Sequence, residues 1–383
     1  MKAIPKKKII FLSHRTPLDK RNWSGTMFNM HQEMIKKGYE VEWMSSELFT
    51  EKENNWFEKI AVWNEKIFNR TFNRHHTILK AKTISKRIQK LLSKKDFDIL
   101  FVPAGINEIA YLKIKQPIVY LNDILFHQHI QYYPAFTGLG WLSKKTLHYI
   151  EKKALDNASA IILPSEWSIE AAQSYYHIPE KKLHLLRFGP NLEVPEKLEL
   201  TTNHTSEKVT HTLLFLGVDW KRKGGDIAFE AVKILNEKGI NAKLKVIGCI
   251  PPVQGDFMEV IPFLDKNKSE DLEQLKKEIS SSDLLFLPTR AECYGIVFCE
   301  ASAFGIPSIT TATGGVTSII KDNINGFALP EKASSEKYAE IIEKIISDPE
   351  KMLSLKKTSR DRYENDLTWE KWGKQLDEIL KKQ

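Results

Sequence analysis

Residues 284–307 read LLFLPTRAECYGIVFCEASAFGIP. Four apolar residues, Leu284 to Leu287, make a short buried strand, and Pro288 ends it because proline has no amide to give to a ladder. A loop carrying Glu292 follows. Gly295 then opens a helix that runs to about Phe304, and Gly305-Ile306-Pro307 turns the chain into the next strand, Ile306 to Thr310. Strand, loop, helix and strand in so few residues is the repeating unit of a parallel sheet covered by helices.

From Gly295 to Phe304 every residue is apolar or small except Glu300 and Ser302. A buried carboxylate is costly unless it is hydrogen-bonded or paired. Two readings stand open: Glu300 pairs with a buried lysine or arginine, or it receives ligand hydroxyls such as those of a ribose. The helix start offers the amides of Tyr294, Gly295, Ile296 and Val297, which lack intrahelical partners and suit a diphosphate. Glu292, just ahead of them, either faces the group carried on the second phosphate or is a solvated loop acid.

The same pattern extends in both directions. Upstream, His211 to Leu216 is a buried strand ending at Gly217, the loop WKRKGG (220–225) follows, and an amphipathic helix runs from about Asp226 to Glu237. Strands are expected at Ala242 to Ile247 and Gly326 to Leu329. The first half starts with a strand at Lys8 to Ser13, a helix from about Ser24 to Lys37 closed by Gly38, and a strand at Tyr39 to Met44. Ile99 to Val102, Ile118 to Leu121 and Ala160 to Leu163 continue it. Residues from Asp361 onward read as helix. The fold class is therefore α/β, with two Rossmann-like domains facing each other across a cleft: residues 1–195, a polar linker at 196–210, and residues 211–362, followed by a C-terminal helix at 363–383. A chain of 383 residues is long enough for two cores.

Composition narrows the function classes. Hydrophobic residues are 42% and charged residues 28%, which is a globular balance. No apolar run approaches the ~20 residues of a spanning helix, and the start MKAIPKKKII does not read as a secretory signal. Cys249, Cys293 and Cys299 have neither metal-ligand nor disulfide spacing, so a cytoplasmic location is expected. Residues 1–200 carry 31 Lys and Arg against 21 Asp and Glu, so all the net positive charge of +8 lies there. Within 52–95 there are 12 basic residues and three glutamates, and Phe57, Ile60, Ile67, Phe68 and Phe72 recur beside Trp56 and Trp63. This stripe is either a core-facing helix or an element that lies on an anionic membrane. A peripheral position on the inner face of the membrane follows from the second reading. Nucleic acid is not an expected partner, because no nucleic-acid-binding signature accompanies the charge.

Glu292 and Glu300 form a Glu-x7-Glu pair, set in GluAlaSerAlaPheGlyIlePro (300–307) and followed by Thr313-Gly314-Gly315. In this the chain resembles the retaining, family-4-type glycosyltransferases of GT-B fold, most closely over about 211–330. The resemblance implies transfer of a sugar from a nucleotide-diphosphate donor with retained anomeric configuration, with no metal or other cofactor required. By it Glu292 contacts sugar hydroxyls, Glu300 the ribose, and the backbone of Tyr294, Gly295, Ile296 and Val297 the diphosphate. The acceptor is expected to be a cell-envelope glycan or a lipid-linked one.

The loop after Gly217 resembles the one in which an arginine and a lysine neutralise the diphosphate. Val218 stands where relatives often have arginine, leaving that charge to Arg222 and Lys223, with the share of each open. In the first domain, ArgAsnTrpSerGlyThr (21–26) puts Gly25 at a helix start, where relatives usually carry two glycines. Asn122-Asp123 stands where many have His-Asp, which makes Asp123 the candidate for contacting the reacting sugar or the acceptor hydroxyl. His127 and His129 lie nearby, and ProSerGluTrp (164–167) either lines the cleft or packs. Residues 260–265 occupy the place where relatives receive the base, with Phe263 and Leu264 as candidates. Trp369 and Trp372 are expected to anchor the last helix on the first domain. A nucleotide-sugar epimerase or a phosphorylase on the same fold, and a non-catalytic nucleotide-sugar-binding protein, are the alternatives.

Overall fold

The computed structural model describes residues 7–68, 71, 73–130, 132–196, 198 and 210–383. Most of the expected linker at 196–210 lies outside the described residues, as do Phe72 and the side chains of Ile60, Ile67 and Phe68. The chain divides into two compact units, Met1–Leu186 with Gly373–Gln383, and Arg187–Trp372.

In the first unit the strands are β1 (Lys8–Ser13), β2 (Glu40–Ser45), β3 (Ile99–Pro103), β4 (Ile118–Leu121), β5 (Ala160–Leu163) and β6 (Leu183–Leu185). They pair in parallel in the order β2-β1-β3-β4-β5-β6. The helices are α1 (Thr26–Lys36), α2 (Glu51–Phe68), α3 (Ile78–Leu92), α4 (Ile106–Ile109), α5 (Phe126–His129), α6 (Trp141–Asn157) and α7 (Glu166–Ser174). Central strands such as Ile99–Pro103 are buried throughout, as a sheet covered on both faces requires. Helix α3 shows how the sequence specifies one face: Ala81, Ile84, Ser85, Ile88 and Leu92 are buried at helical spacing, and the Thr77 hydroxyl caps the start by accepting the Lys80 amide at 3.2 Å.

The first helix begins later than expected. Trp23 (φ 49°, ψ 42°) and Ser24 (φ 56°, ψ 20°) are left-handed, Gly25 follows at φ 98°, and α1 starts only at Thr26. Three consecutive left-handed residues, two of them with side chains, make a costly turn that its surroundings must hold. The Asn22 side-chain amide contributes, donating to the Thr16 carbonyl at 2.8 Å.

One acid in this unit lies deep in the core. Glu151 on α6 is 1% exposed, and burial lifts its carboxyl to about 8, even though the Tyr176 hydroxyl and the Phe126 amide (2.7 Å) hydrogen-bond to it. The folded state thus holds a proton that the unfolded chain releases above its ordinary value of 4.5. The associated stability is complete below that value and is lost as pH rises towards 8, at about 1.4 kcal/mol per pH unit. Urea unfolding of Glu151→Gln between pH 5 and 8 should show a shallower decline than the native chain. Parallel curves would refute the assignment.

The second unit carries β7 (His211–Leu216), β8 (Ala242–Ile247), β9 (Met258–Ile261), β10 (Leu284–Leu287), β11 (Ser308–Thr311) and β12 (Gly326–Leu329), all parallel, in the order β12-β11-β10-β7-β8-β9. Its helices are α8 (Gly225–Glu237), α9 (Ser269–Ser280), α10 (Ile296–Ala303), α11 (Val316–Ile319), α12 (Ser335–Ile346) and α13 (Pro349–Asp366), and α14 (Trp369–Lys382) starts in it. The strand order reverses between β7 and β10. In open α/β sheets ligands bind at such a switch point, outside the strand carboxyl ends. The pairing of Leu284 with Leu213 and Leu285 with Leu214 brings Gly217 and Pro288 out of the sheet side by side.

The tail is not one helix. Leu367 breaks it at φ −117° and ψ 40°, and the Thr368 hydroxyl then caps α14 by accepting the Lys371 amide at 3.1 Å. Trp369 donates its indole N–H to the Pro190 carbonyl at 2.8 Å and stacks on Phe188, and Trp372 is fully buried. These contacts lie within the second unit. From Gly373 onward the helix belongs to the first, where the Tyr39 hydroxyl donates to Asp377 at 2.7 Å.

Candidate functional site

At the switch point of the second unit the loops after β7 and β10 interlock. The Arg290 amide donates to the Arg222 carbonyl at 2.8 Å, and Arg222 Nη1 donates to the Ala291 carbonyl at 2.9 Å. Lys223 Nζ lies directly on Glu292 Oε2, and Arg222 Nη1 stands 3.8 Å from the same oxygen. Glu292 is therefore no solvated loop acid; its side chain is only 13% exposed and is held between two cations. Asp219 braces the other side of Arg222, 3.5 Å from its Nε.

The glycines here leave room for this arrangement. A Cβ at Gly217 would stand 3.0 Å from Lys223 Cγ, so its absence lets the lysine stem lie against the strand end. At Gly295 (φ 94°) a Cβ would meet the Phe298 ring at 2.5 Å and Glu292 Cγ at 3.1 Å. Gly295 caps α10, which places the helix start immediately beside Glu292. Tyr294 turns inward and donates its hydroxyl to the Phe188 carbonyl at 3.1 Å, so it can offer a ligand only backbone. Ile296 is partly exposed and Val297 is buried. Negative charge at this corner would meet α10's first amides, Arg222 and Lys223 together.

Glu300 lies one turn further along α10 with its side chain 3% exposed. Its Oε1 accepts a hydrogen bond from Lys266 Nζ at 2.5 Å. The ionic pairing that sequence left open is thus present, and the partner is a lysine that no local pattern marked. Lys266 sits in the loop between β9 and α9, together with Phe263, which is 57% exposed, and Leu264, which is partly buried. Val218 is 65% exposed and brings no charge to the corner.

The first unit gathers a second group of candidates. The Trp23 indole N–H donates to Asp123 Oδ2 at 3.1 Å, so the left-handed turn that ends in Gly25 aims a side chain at Asp123. The loop bearing Asp123 is held from below: Ser165 caps α7 by accepting the Ser168 amide at 3.1 Å, and the Ser168 hydroxyl donates to the Asp123 carbonyl at 2.7 Å. Within ProSerGluTrp (164–167), Ser165 thus holds Ser168, the residue that bonds the Asp123 carbonyl. His127 stacks on Tyr175 at 3.7 Å between ring centres, and His129 stacks on Phe136 at 4.6 Å. Burial lowers the His129 imidazole to about 4, which keeps it neutral near pH 7. Among the described residues no group of three or more His, Cys, Asp or Glu could hold a metal ion.

Two family models match the chain: Glycosyltransferase Family 4 over residues 26–194 and Glycosyl transferases group 1 over residues 198–362. The capsular polysaccharide biosynthesis glycosyltransferase CapM of Staphylococcus aureus is 30% identical over 251 residues, 61% of this chain and 66% of CapM. The lipopolysaccharide glucosyltransferase WaaG of Escherichia coli is 26% identical over 231 residues, 54% of this chain and 60% of WaaG. The chain thus spans under two thirds of the length of such curated relatives. Among solved structures, sucrose-phosphate synthase from Thermosynechococcus elongatus superimposes with a TM-score of 0.71 at 15% identity, covering 98% of this chain and 99% of that one. Anabaena Alr3699/HepE, solved in complex with UDP, gives 0.64 at 14% identity over 98% and 100%. With two Rossmann-like units, each built on a six-stranded parallel sheet among the described residues, the chain belongs to the family-4, group 1 glycosyltransferases of GT-B fold.

Proposed function

We propose that this chain is a retaining glycosyltransferase that moves a sugar from a nucleotide-diphosphate donor to a hydroxyl of a cell-envelope glycan or glycolipid. The observation that carries the reading is the Lys223–Glu292 pair, with Arg222 alongside, beside the α10 start at a strand-order switch point. The bond from the anomeric carbon to the diphosphate breaks through an oxocarbenium-like transition state. Arg222, Lys223 and the α10 amides stabilise the charge that collects on the departing diphosphate. Glu292 orients the sugar by its hydroxyls, and Asp123 of the first unit is the candidate for contacting the reacting sugar or the acceptor. The acceptor oxygen attacks on the face the diphosphate leaves, and its proton passes to the diphosphate. No metal takes part, so chelation with EDTA leaves the rate unchanged.

CapM and WaaG act, by their names, in capsule and lipopolysaccharide synthesis, and this supports an envelope acceptor. The decisive experiment is a thermal-shift panel of UDP-, GDP-, ADP- and dTDP-sugars, followed by a hydrolysis assay on each hit. Stabilisation by none of them would refute the reading. Turnover without any acceptor or water consumed would favour an epimerase, release of sugar phosphate a phosphorylase, and binding without turnover a non-catalytic protein.

The first unit docks on an anionic membrane at the inner face. Support comes from its surface: Trp56 (51% exposed), Trp63 (64%) and Leu79 (51%) stand among the basic residues of 52–95. Phe49, Trp56, Phe57 and Leu79 line a groove of about 410 Å³ together with Lys52, Glu53 and Thr83. A remote segment adds to it. The Asn73 amide donates to the Ser143 hydroxyl at 3.0 Å, tying the approach to α3 to the start of α6, where Trp141 (72%) and Leu142 (49%) are exposed beside Lys144 and Lys145. Exposed tryptophans among lysines suit a headgroup layer. No helix among the described residues is long and apolar enough to cross a membrane. In flotation with vesicles containing 30% phosphatidylglycerol, Trp63→Ala with Trp141→Ala should lower binding on the order of tenfold. Equal flotation of the native and doubly substituted proteins would count against docking here.

A further inference from the structure

The Glu300–Lys266 pair has a consequence for donor recognition that rests on the reading of Glu300 as the ribose ligand. Glu300 is almost wholly enclosed on α10, and a carboxylate there needs both charge compensation and a fixed direction. Lys266 Nζ occupies Oε1 at 2.5 Å. Among the described residues no donor is placed on Oε2. A carboxylate has about four lone-pair sites, so Oε2 retains the capacity to accept two hydroxyls.

The loop that supplies Lys266 is closed on itself. The Asp265 amide donates to Asp271 Oδ2 at 2.8 Å, the Asn267 amide and side chain both donate to Asp265 Oδ1 at 2.9 Å, and the Lys268 amide donates to the Asp265 carbonyl at 2.8 Å. Asp265 and Asn267 flank Lys266 and pin the backbone on both sides of it. The lysine therefore starts from a fixed Cα, and its side chain, 16% exposed, ends on Glu300.

We propose that Lys266 is a positioning residue for donor recognition: it holds Oε1 of Glu300 so that Oε2 presents its lone pairs to the ribose diol. It acts through Glu300 and does not itself touch the reacting atoms. Because the loop also carries Phe263 and Leu264, the base and the ribose are read by one short segment together with α10.

The experiment measures binding of UDP, GDP and ADP by calorimetry, each beside its 2′-deoxy counterpart, to the native full chain. The nucleotide that binds is then taken through Lys266→Met, Lys266→Arg and Glu300→Gln. The native protein should prefer the ribonucleotide over the deoxynucleotide on the order of tenfold, as for a hydrogen bond to a charged group. Lys266→Met should erase that preference while kcat at saturating donor changes less than threefold and KM for the donor rises. Lys266→Arg should restore part of it. A role confined to stability would lower the melting temperature of Lys266→Met and leave the preference intact, and that result overturns the proposal. Should Lys266→Met fail to fold, Lys266→Gln takes its place: a preference as large as native together with unchanged KM overturns the proposal, and loss of the preference supports it. If the native protein shows no preference between ribo and deoxy forms, the ribose reading of Glu300 fails and takes this proposal with it. If Glu300→Gln loses the preference and Lys266→Met keeps it, only the lysine's role is lost.

Discussion

Replacing Lys223 with methionine is expected to lower kcat for sugar transfer by two to three orders of magnitude. The methionine keeps most of the stem that lies against Gly217, so the loop retains its packing. What it removes is the ammonium group on Glu292 Oε2, in a side chain only 10% exposed. A preorganised positive charge at the place where negative charge develops typically contributes a factor of about 10² to 10³. Arg222, 3.8 Å from the same oxygen and already tied to the Ala291 carbonyl, leaves the corner with one cation where the native chain has two. Steady-state kinetics with saturating donor, beside a thermal melt to show that the variant folds, make the comparison. A kcat within threefold of native would remove Lys223 from the leaving-group site and assign that charge to Arg222.

Gly224→Ala is expected to destabilise the second unit by about 3 kcal/mol or more. Gly224 has φ +76°, and a Cβ there would stand 2.0 Å from the Pro288 carbonyl oxygen. Neither contact atom is the flexible end of a side chain; both loops would have to part. Gly239 supplies the control, since it has φ +84° but nothing within 4 Å of a Cβ. Gly239→Ala therefore bears only the left-handed backbone penalty, about 1 kcal/mol. Urea unfolding of both variants separates the two contributions, and equal losses would show that the approach to Pro288 relaxes freely. The Gly224 variant should also lose donor binding, because the loop that shifts carries Arg222 and Lys223.

Much of this site could be read in the sequence because its determinants are local. Pro288, Gly295 and Gly305 punctuate a strand–loop–helix–strand unit, and the apolar run around Glu300 marks its enclosure without any knowledge of the fold. Gly217 and the WKRKGG loop likewise lie at the end of a recognisable strand. Long-range relations were not legible. Lys266 and Glu300 are 34 positions apart, and the lysine stands in a stretch whose charges look like an ordinary solvated loop. The left-handed pair Trp23-Ser24 has side chains that normally avoid that conformation, so composition argues for helix where the tertiary contact to Asp123 accompanies a tight turn. The break at Leu367 is hidden for a related reason. Leucine is a good helix former, and the interruption comes from the Thr368 cap and the burial of Trp369 and Trp372.

The loop from 262 to 268 is sewn shut by Asp265 and runs between β9, at the edge of its sheet, and α9. An edge placement means that its length and sequence can change without repacking a central strand, while the charge corner between β7 and β10 stays as it is. On the proposed reading, the unit is a socket with an interchangeable collar. If Phe263 and Leu264 receive the base as proposed, exchanging the collar between relatives is expected to alter which nucleotide is accepted and to leave the Arg222–Lys223–Glu292 corner in place.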